Sequence, residues 1–314
     1  MYNSFFVAMN AVVPFLCYLA LGYAIRSTKN VDADFLKRLN QMVFKVMFPC
    51  MTFYNIYKAE SDNAPSIKLI VFCGAAILVL EGILLLIVPR LVKENAKRGV
   101  IIQGIYRSNF VLFGLPLTVS LFGDEAASVA AMLITVVISI YNFTSVIILE
   151  IFNGNSVISP LYLLKRLVQN PLLQGCMVGF VFYILHIRLP ECLDTPIAAF
   201  ANMTSPLAIF ILGGTLEFKA IRKNLKYLIP TLGAKLILMP MFMIGTACLI
   251  GLRGVELFLV LAVSATPVAA SSYPMAQNMG GDGELAGQLV FISTVISIFT
   301  LFIWIFLLKE IGLI

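Results

Sequence analysis

Two stretches of this chain are versions of one pattern. Residues 108–140 read SNFVLFGLPLTVSLFGDEAASVAAMLITVVISI, and residues 264–298 read SATPVAASSYPMAQNMGGDGELAGQLVFISTVISI. At an offset of 158 residues, Pro116 falls on Pro274, Gly123-Asp124 on Gly281-Asp282, Val137 on Val295 and Ser139 on Ser297. Each version is an apolar run interrupted by proline, then a short polar turn, then a second apolar run. Upstream the match continues at an offset of 157, with Pro14 on Pro171, Gly22 on Gly179 and Pro49 on Pro206. A repeat of this length fixes the architecture, because both copies must adopt one fold. The expected organisation is a first unit at residues 1–151, a linker at 152–170 and a second unit at 171–314.

Composition says where such a fold can live. Of 314 residues, 60% are hydrophobic and 12% charged, too few charges to solvate the surface of a water-soluble protein of this size. A bilayer core of ~30 Å needs roughly 20 helical residues. Apolar runs of about that length fall at 7–25, 35–57, 67–92, 99–122, 126–151, 172–187, 196–216, 227–250, 255–279 and 285–308. The sequence therefore predicts an all-α polytopic membrane protein with ten transmembrane helices. The first run has no Lys or Arg before Arg26, so it lacks the basic flank of a cleavable signal and is expected to be a retained helix. In the linker, Leu161, Leu163, Leu164 and Val168 stand beside Lys165 and Arg166, the pattern of a short helix lying on the membrane surface.

The net charge of +6 reflects basic loops rather than a nucleic-acid partner. Fourteen Lys and Arg residues follow runs 1, 3, 5 and 7, against five at the other ends, which places both termini on the non-cytoplasmic side. Five runs per copy is an odd number, so the second copy must be inverted relative to the first. Inverted repeats with interrupted helices are the build of secondary transporters, whose substrate site lies near the midplane where the repeats meet. The six cysteines are scattered without metal-like spacing, and His186 stands alone at a helix end. No metal or cofactor motif is present.

The candidate site follows from the prolines and the charges. Run 4 holds Arg107, Ser108, Asn109, Gly114 and Pro116; run 9 holds Thr266, Pro267, Ser271, Ser272 and Pro274. Proline lacks an N–H and crowds the preceding turn, so both helices are expected to open and to cross at these prolines. Open backbone is tolerated at membrane depth only within protein or beside a wet cavity. The bland alternative is that Pro116 and Pro274 merely kink packed helices. Glu81, Arg107 and Lys235 each lie nine residues from the basic end of their run, roughly 13 Å deep. Ionisable groups at that depth are costly and are paired or functional. One expectation pairs Glu81 with Lys235 and leaves Arg107 to attract an anion; the alternative has Arg107 and Lys235 snorkelling to the headgroups, as Lys45 is expected to do.

At these residues the chain resembles the auxin efflux carrier family of membrane transport proteins, which includes bacterial malate and malonate permeases and plant PIN-type carriers. The resemblance rests on Asn109 with Gly114-Leu115-Pro116, on PLAIFILGG from Pro206 to Gly214, and on Pro267 through Ser297 with the Gly280-Gly281-Asp282 turn. Asn40, Pro49 and Asn170-Pro171 also fit. It implies two inverted five-helix repeats in the manner of PIN carriers and bile-acid symporters. Runs 1, 2, 6 and 7 would form a dimerising scaffold; runs 3–5 and 8–10 would form a moving transport domain. It further implies that Asn109 contacts a substrate carboxylate while Pro116, Pro267 and Pro274 shape the crossing. The long loop of many plant PIN carriers is missing, which favours a small organic acid over auxin.

The expected function is thus a secondary carrier for small organic anions in a cell membrane, working by an elevator-type alternation. A channel or a sensor on the same fold is the alternative. An intramembrane enzyme would need paired acids or a metal motif such as HExxH, which the sequence does not offer. Whether a proton, on Glu81, or a sodium ion is coupled to transport stays open at this level.

Overall fold

The computed structural model describes residues 2–28, 31–59, 65–123, 125–153 and 160–314. Lys29, Asp124 of the repeat and residues 154–159 of the linker lie outside the described residues. Among the described residues the chain is helical, with no strand and one isolated antiparallel bridge. Five helical stretches are long and apolar enough to cross a membrane: Ile67–Leu91, Val129–Ile151, Glu191–Thr215, Ala220–Leu249 and Gly283–Glu310. Shorter apolar helices lie between them, and their shortness is informative.

In chain order the helices are α1 (Tyr2–Ser27), α2 (Ala33–Met42), α3 (Phe48–Tyr57), α4 (Ile67–Leu91), α5 (Asn95–Tyr106), α6 (Phe110–Phe122) and α7 (Glu125–Ile151). The short α8 (Pro160–Gln169) leads to α9 (Pro171–Ile184), α10 (Glu191–Thr215), α11 (Phe218–Gly233), α12 (Met239–Leu249), α13 (Gly254–Ala265), α14 (Ser272–Asn278) and α15 (Gly283–Glu310). Helices α2 and α3 are continuous through a π turn at Val43–Met47, and α11 and α12 through another at Ala234–Leu238. Both π turns are followed two residues later by a proline, Pro49 and Pro240. Pro240 cannot donate to the Leu236 carbonyl; the Trp304 indole donates to it instead, at 3.1 Å.

Two helix pairs approach closely at glycines, the first closely enough to exclude any side chain. A Cβ on Gly22 of α1 would stand 1.9 Å from the Phe210 carbonyl oxygen of α10, and one on Gly179 of α9 would stand 3.0 Å from the Phe53 carbonyl oxygen of α3. Only glycine permits the first of these approaches. The α3/α10 contact is fixed by Thr204, whose hydroxyl donates to the Met47 carbonyl at 3.2 Å. At one end Lys58 Nζ lies 3.0 Å from the Asp194 carboxylate, whose hydrogen bond raises the Lys58 pKa above its ordinary value.

The long helices are apolar all round rather than striped, as expected where lipid or protein meets every face. Leu78, Val79, Leu86 and Ile87 of α4 are exposed on one side, while Cys73, Ile77, Leu84 and Val88 are buried on the other. Polar residues concentrate inside: Asn40, Gln103, Thr118, Asn142, Ser145, Asn224 and Gln288 are all buried. Lipid-compatible walls thus enclose an apolar interior that also holds buried polar residues.

Candidate functional site

The two runs that share the repeated pattern are each interrupted. Helix α5 ends at Tyr106 and α6 begins at Phe110; α13 ends at Ala265 and α14 begins at Ser272. The extended pieces between them meet. Ser108 and Val268 form the antiparallel bridge, and the Asn109 amide donates to the Pro267 carbonyl at 2.7 Å. Val268 N–H donates in turn to Ser293 Oγ at 3.0 Å. Backbone groups freed by one interruption are thus satisfied by the other, or by α15, which is what burial demands.

This placement corrects the expectation that the helices open at Pro116 and Pro274. Helix α6 runs unbroken through Pro116, which faces outward, and Pro274 lies in the first turn of α14, where its missing N–H costs nothing. The openings lie earlier in each run, at 107–109 and at 266–271, the second of which contains Pro267, and there the opposing segment supplies partners. Gly114 has a packing role: a Cβ there would come within 2.1 Å of the Phe110 ring.

Around the meeting point lies a cavity of about 40 Å³, lined among others by Arg107, Ser108, Asn109, Tyr141, Asn142 and Ser271. Thr52 of α3 and Ser205 of α10 close the opposite wall. Of the residues expected from sequence, four line it: Arg107, Ser108, Asn109 and Ser271. Thr266, Pro267, Ser272, Pro274, Gly114 and Pro116 do not. Thr266 returns its hydroxyl to the Ala262 carbonyl at 2.9 Å, and the Ser272 carbonyl accepts from Gln103 Nε2 at 3.3 Å. Asn109 is the unusual member. Its Nδ2 is buried without an acceptor, although the residue is 7% exposed and lines the cavity. A buried amide donor left unpaired costs on the order of 1–3 kcal/mol, so a partner is expected to arrive.

The charges are placed differently from the expected pair. Lys235 does not meet Glu81: its ammonium donates to Ser108 Oγ and, at 3.1 Å, to the Ser264 carbonyl. Glu81 accepts instead from Thr144 Oγ1 at 2.6 Å. Equal depth in a membrane says nothing about which side of a helix a group faces, and here the two face different neighbours. Arg107 donates to Asn142 Oδ1 at 2.6 Å and to Met275 Sδ. Arg107 is 3% exposed and Lys235 fully buried, so neither snorkels, whereas Lys45 is exposed on its helix. Among the described residues no ion pair neutralises Arg107 or Lys235.

That excess of positive charge has a local logic. Helices α5 and α13 both end at the crossing, bringing the negative poles of two backbone dipoles there. Arg107 caps α5, and Lys235 takes the Ser264 carbonyl in the last turn of α13. With those ends compensated, the first turn of α6 presents free backbone amides beside Asn109 and Arg107. Asn142, Tyr141, Thr52 and Ser205 were not singled out from sequence. Asn142 could have been, as an amide in the apolar run ISIYNFTSVII.

A second cavity, about 310 Å³, opens toward the end of the bundle that carries Arg26 and Lys226. It lies between Leu212, Thr215 and Glu217 of α10 and its C-terminal flank on one side, and Tyr273 with Gln277 and Gln288 on the other. Tyr273 OH donates to Thr215 Oγ1 at 2.9 Å, and Asn40 Nδ2 to Gln277 Oε1 at 2.6 Å.

A chain that is helical throughout its described residues, with lipid-compatible walls and buried cations at a crossing of interrupted helices, is a multi-pass membrane protein. Comparison with known proteins gives the family. The chain belongs to the membrane transport protein family, whose profile matches residues 7–305. It is similar to a protein described as an uncharacterized transporter from Methanothermobacter thermautotrophicus, with 22% identity over 302 residues covering 96% of this chain and 98% of the relative. It is also similar to auxin efflux carrier component 8 from Arabidopsis thaliana, with 24% identity over 364 residues covering 93% of this chain and 96% of the relative. The family and these relatives are transporters, not enzymes.

Proposed function

We propose that the protein is a secondary carrier for small organic anions of the malate, malonate or auxin-like weak-acid class, working by alternating access. The observation that carries the reading is the unpaired amide of Asn109, buried beside Arg107 at the start of α6. A carboxylate offers acceptors to both groups and to the free amides of the first turn. The auxin efflux carrier among the relatives is consistent with a weak-acid substrate.

The topology in this proposal is ten crossings as two inverted five-helix units. Contacts related by the repeat support it. Gly22 meets Phe210, and their counterparts 157 positions away in the repeat, Gly179 and Phe53, meet likewise. Thr204 meets Met47, again 157 apart, and Asn109 meets Pro267, 158 apart. Self-paired positions of this kind lie on a two-fold axis. The proposal keeps a scaffold of crossings 1, 2, 6 and 7, through which two copies pair, and a transport domain of crossings 3–5 and 8–10. Both termini are assigned to the non-cytoplasmic side, from the loop charges.

A cavity of about 40 Å³ has room for on the order of two or three waters, not for a dicarboxylate. The substrate therefore enters only when the wall at Thr52 and Ser205 moves away from Asn109, which an elevator displacement provides. The test uses purified protein in liposomes with labelled L-malate, malonate and indole-3-acetate under imposed proton, sodium and voltage gradients. Saturable uptake with counterflow of preloaded unlabelled acid is expected. Flux that never saturates would show a channel; binding without flux would show a sensor.

A further inference from the structure

Among the described residues, Lys235 is a buried cation with no anion beside it. It occupies the second position of the π turn between α11 and α12 and none of its surface is exposed. Its ammonium touches three groups: Ser108 Oγ, the Ser264 carbonyl at 3.1 Å and Met239 Sδ at 3.6 Å. Ser108 belongs to the first interruption and Ser264 to the last turn before the second. The Ser264 carbonyl has no amide to accept from within its helix, since Val268 N–H is committed to Ser293 Oγ. One ammonium therefore grips both interrupted segments, and through it the Ser264 carbonyl gains a partner it lacks within its own helix.

Two neutral oxygens, a hydroxyl and a carbonyl at the negative end of a helix, attract a monovalent cation. Ammonium meets the same need without leaving, because it is attached to α12's preceding turn by four methylenes. The π turn matters here, since the extra residue in that turn alters the direction of the side chains that follow the regular helical rows.

We propose that Lys235 is a positioning residue that serves as a tethered cation: it holds the crossing of the two interrupted segments together in the place where a sodium or potassium ion would otherwise be required. The crossing is accordingly assembled without alkali cations. Any ion coupled to transport binds elsewhere. The inference rests on the geometry of the crossing and does not need the carrier reading.

The test is thermal unfolding of the purified full-length protein in detergent, which requires no substrate. At equal ionic strength, the wild-type midpoint should be the same in sodium, potassium, ethylammonium and choline chloride. Lys235→Ala vacates the ammonium's place; in choline its midpoint should fall, and 100 mM sodium, potassium or ethylammonium should restore roughly 2 °C or more. Lys235→Met keeps the chain length without the charge, so it should be destabilised and respond to no cation. Three results overturn the proposal: a wild type stabilised by sodium over choline, a Lys235→Met protein as stable as wild type, or a Lys235→Ala protein indifferent to every cation. Should neither Lys235 variant fold, Ser108→Ala decides. Loss of its hydroxyl should lower the midpoint by roughly 2 °C or more, and an unchanged midpoint overturns the proposal. Failure in the liposome assay with these results intact would remove the carrier reading alone.

Discussion

Asn109 Nδ2 is a donor held without an acceptor between the Arg107 guanidinium and the free amides of α6, and that imbalance defines what the site can receive. A hydrogen bond to a charged group is worth about 1.5–3 kcal/mol, so Asn109→Ala should raise the half-saturating concentration of an organic anion by roughly 10- to 100-fold. The concentration dependence of uptake measures this, and the unfolding midpoint should change little. Arg107→Lys should not substitute for arginine: an ammonium lacks the planar fork of N–H groups by which a guanidinium bonded to Asn142 can also present parallel donors to a carboxylate. Its uptake should fall at least tenfold, about the loss of one charge-assisted bond. Sequence reading found Arg107, Ser108, Asn109 and Ser271 because polar residues stand out in an apolar run. It misjudged Glu81 and Lys235 because depth follows from residue count while facing direction does not.

At the scale of elements, the repeat and the apolar runs were legible because they are written in residue types: proline, glycine and hydropathy keep their register over 157 or 158 positions. The points of opening were legible only in Pro267, which lies in the second interruption. They depend on which backbone groups find partners across the crossing, and the partners of Ser108 and Asn109 lie in another run entirely. The glycine contacts give a direct check on the packing. Gly22→Ala would force a methyl group into the Phe210 carbonyl of α10, and overpacking of this kind costs typically 1–3 kcal/mol. Its unfolding midpoint should drop by about 4 °C or more. Gly82→Ala meets nothing within 4 Å on the exposed side of α4 and should be neutral or slightly stabilising through helix propensity. If both substitutions behave alike, the close α1/α10 approach is wrong.

Over the whole molecule, the cavity at the site is narrow, about 40 Å³, while one of about 310 Å³ opens at the basic end. Thr215 with Tyr273, and Asn40 with Gln277, bridge the two groups of helices there. Cysteines at Asn40 and Gln277, in a background without the six native cysteines, should be joined by a short bifunctional thiol reagent. That link should abolish uptake, and reduction should restore it. The central claim is that the crossing at Asn109 faces each side of the membrane in turn. It is tested most directly by placing a single cysteine at Ser271, in the same cysteine-free background, and measuring its labelling by a membrane-impermeant thiol reagent added to one side of oriented vesicles at a time. The account predicts labelling from either side, with reagent on one side protecting the site from the other. Labelling from one side only, under every substrate condition, would contradict it.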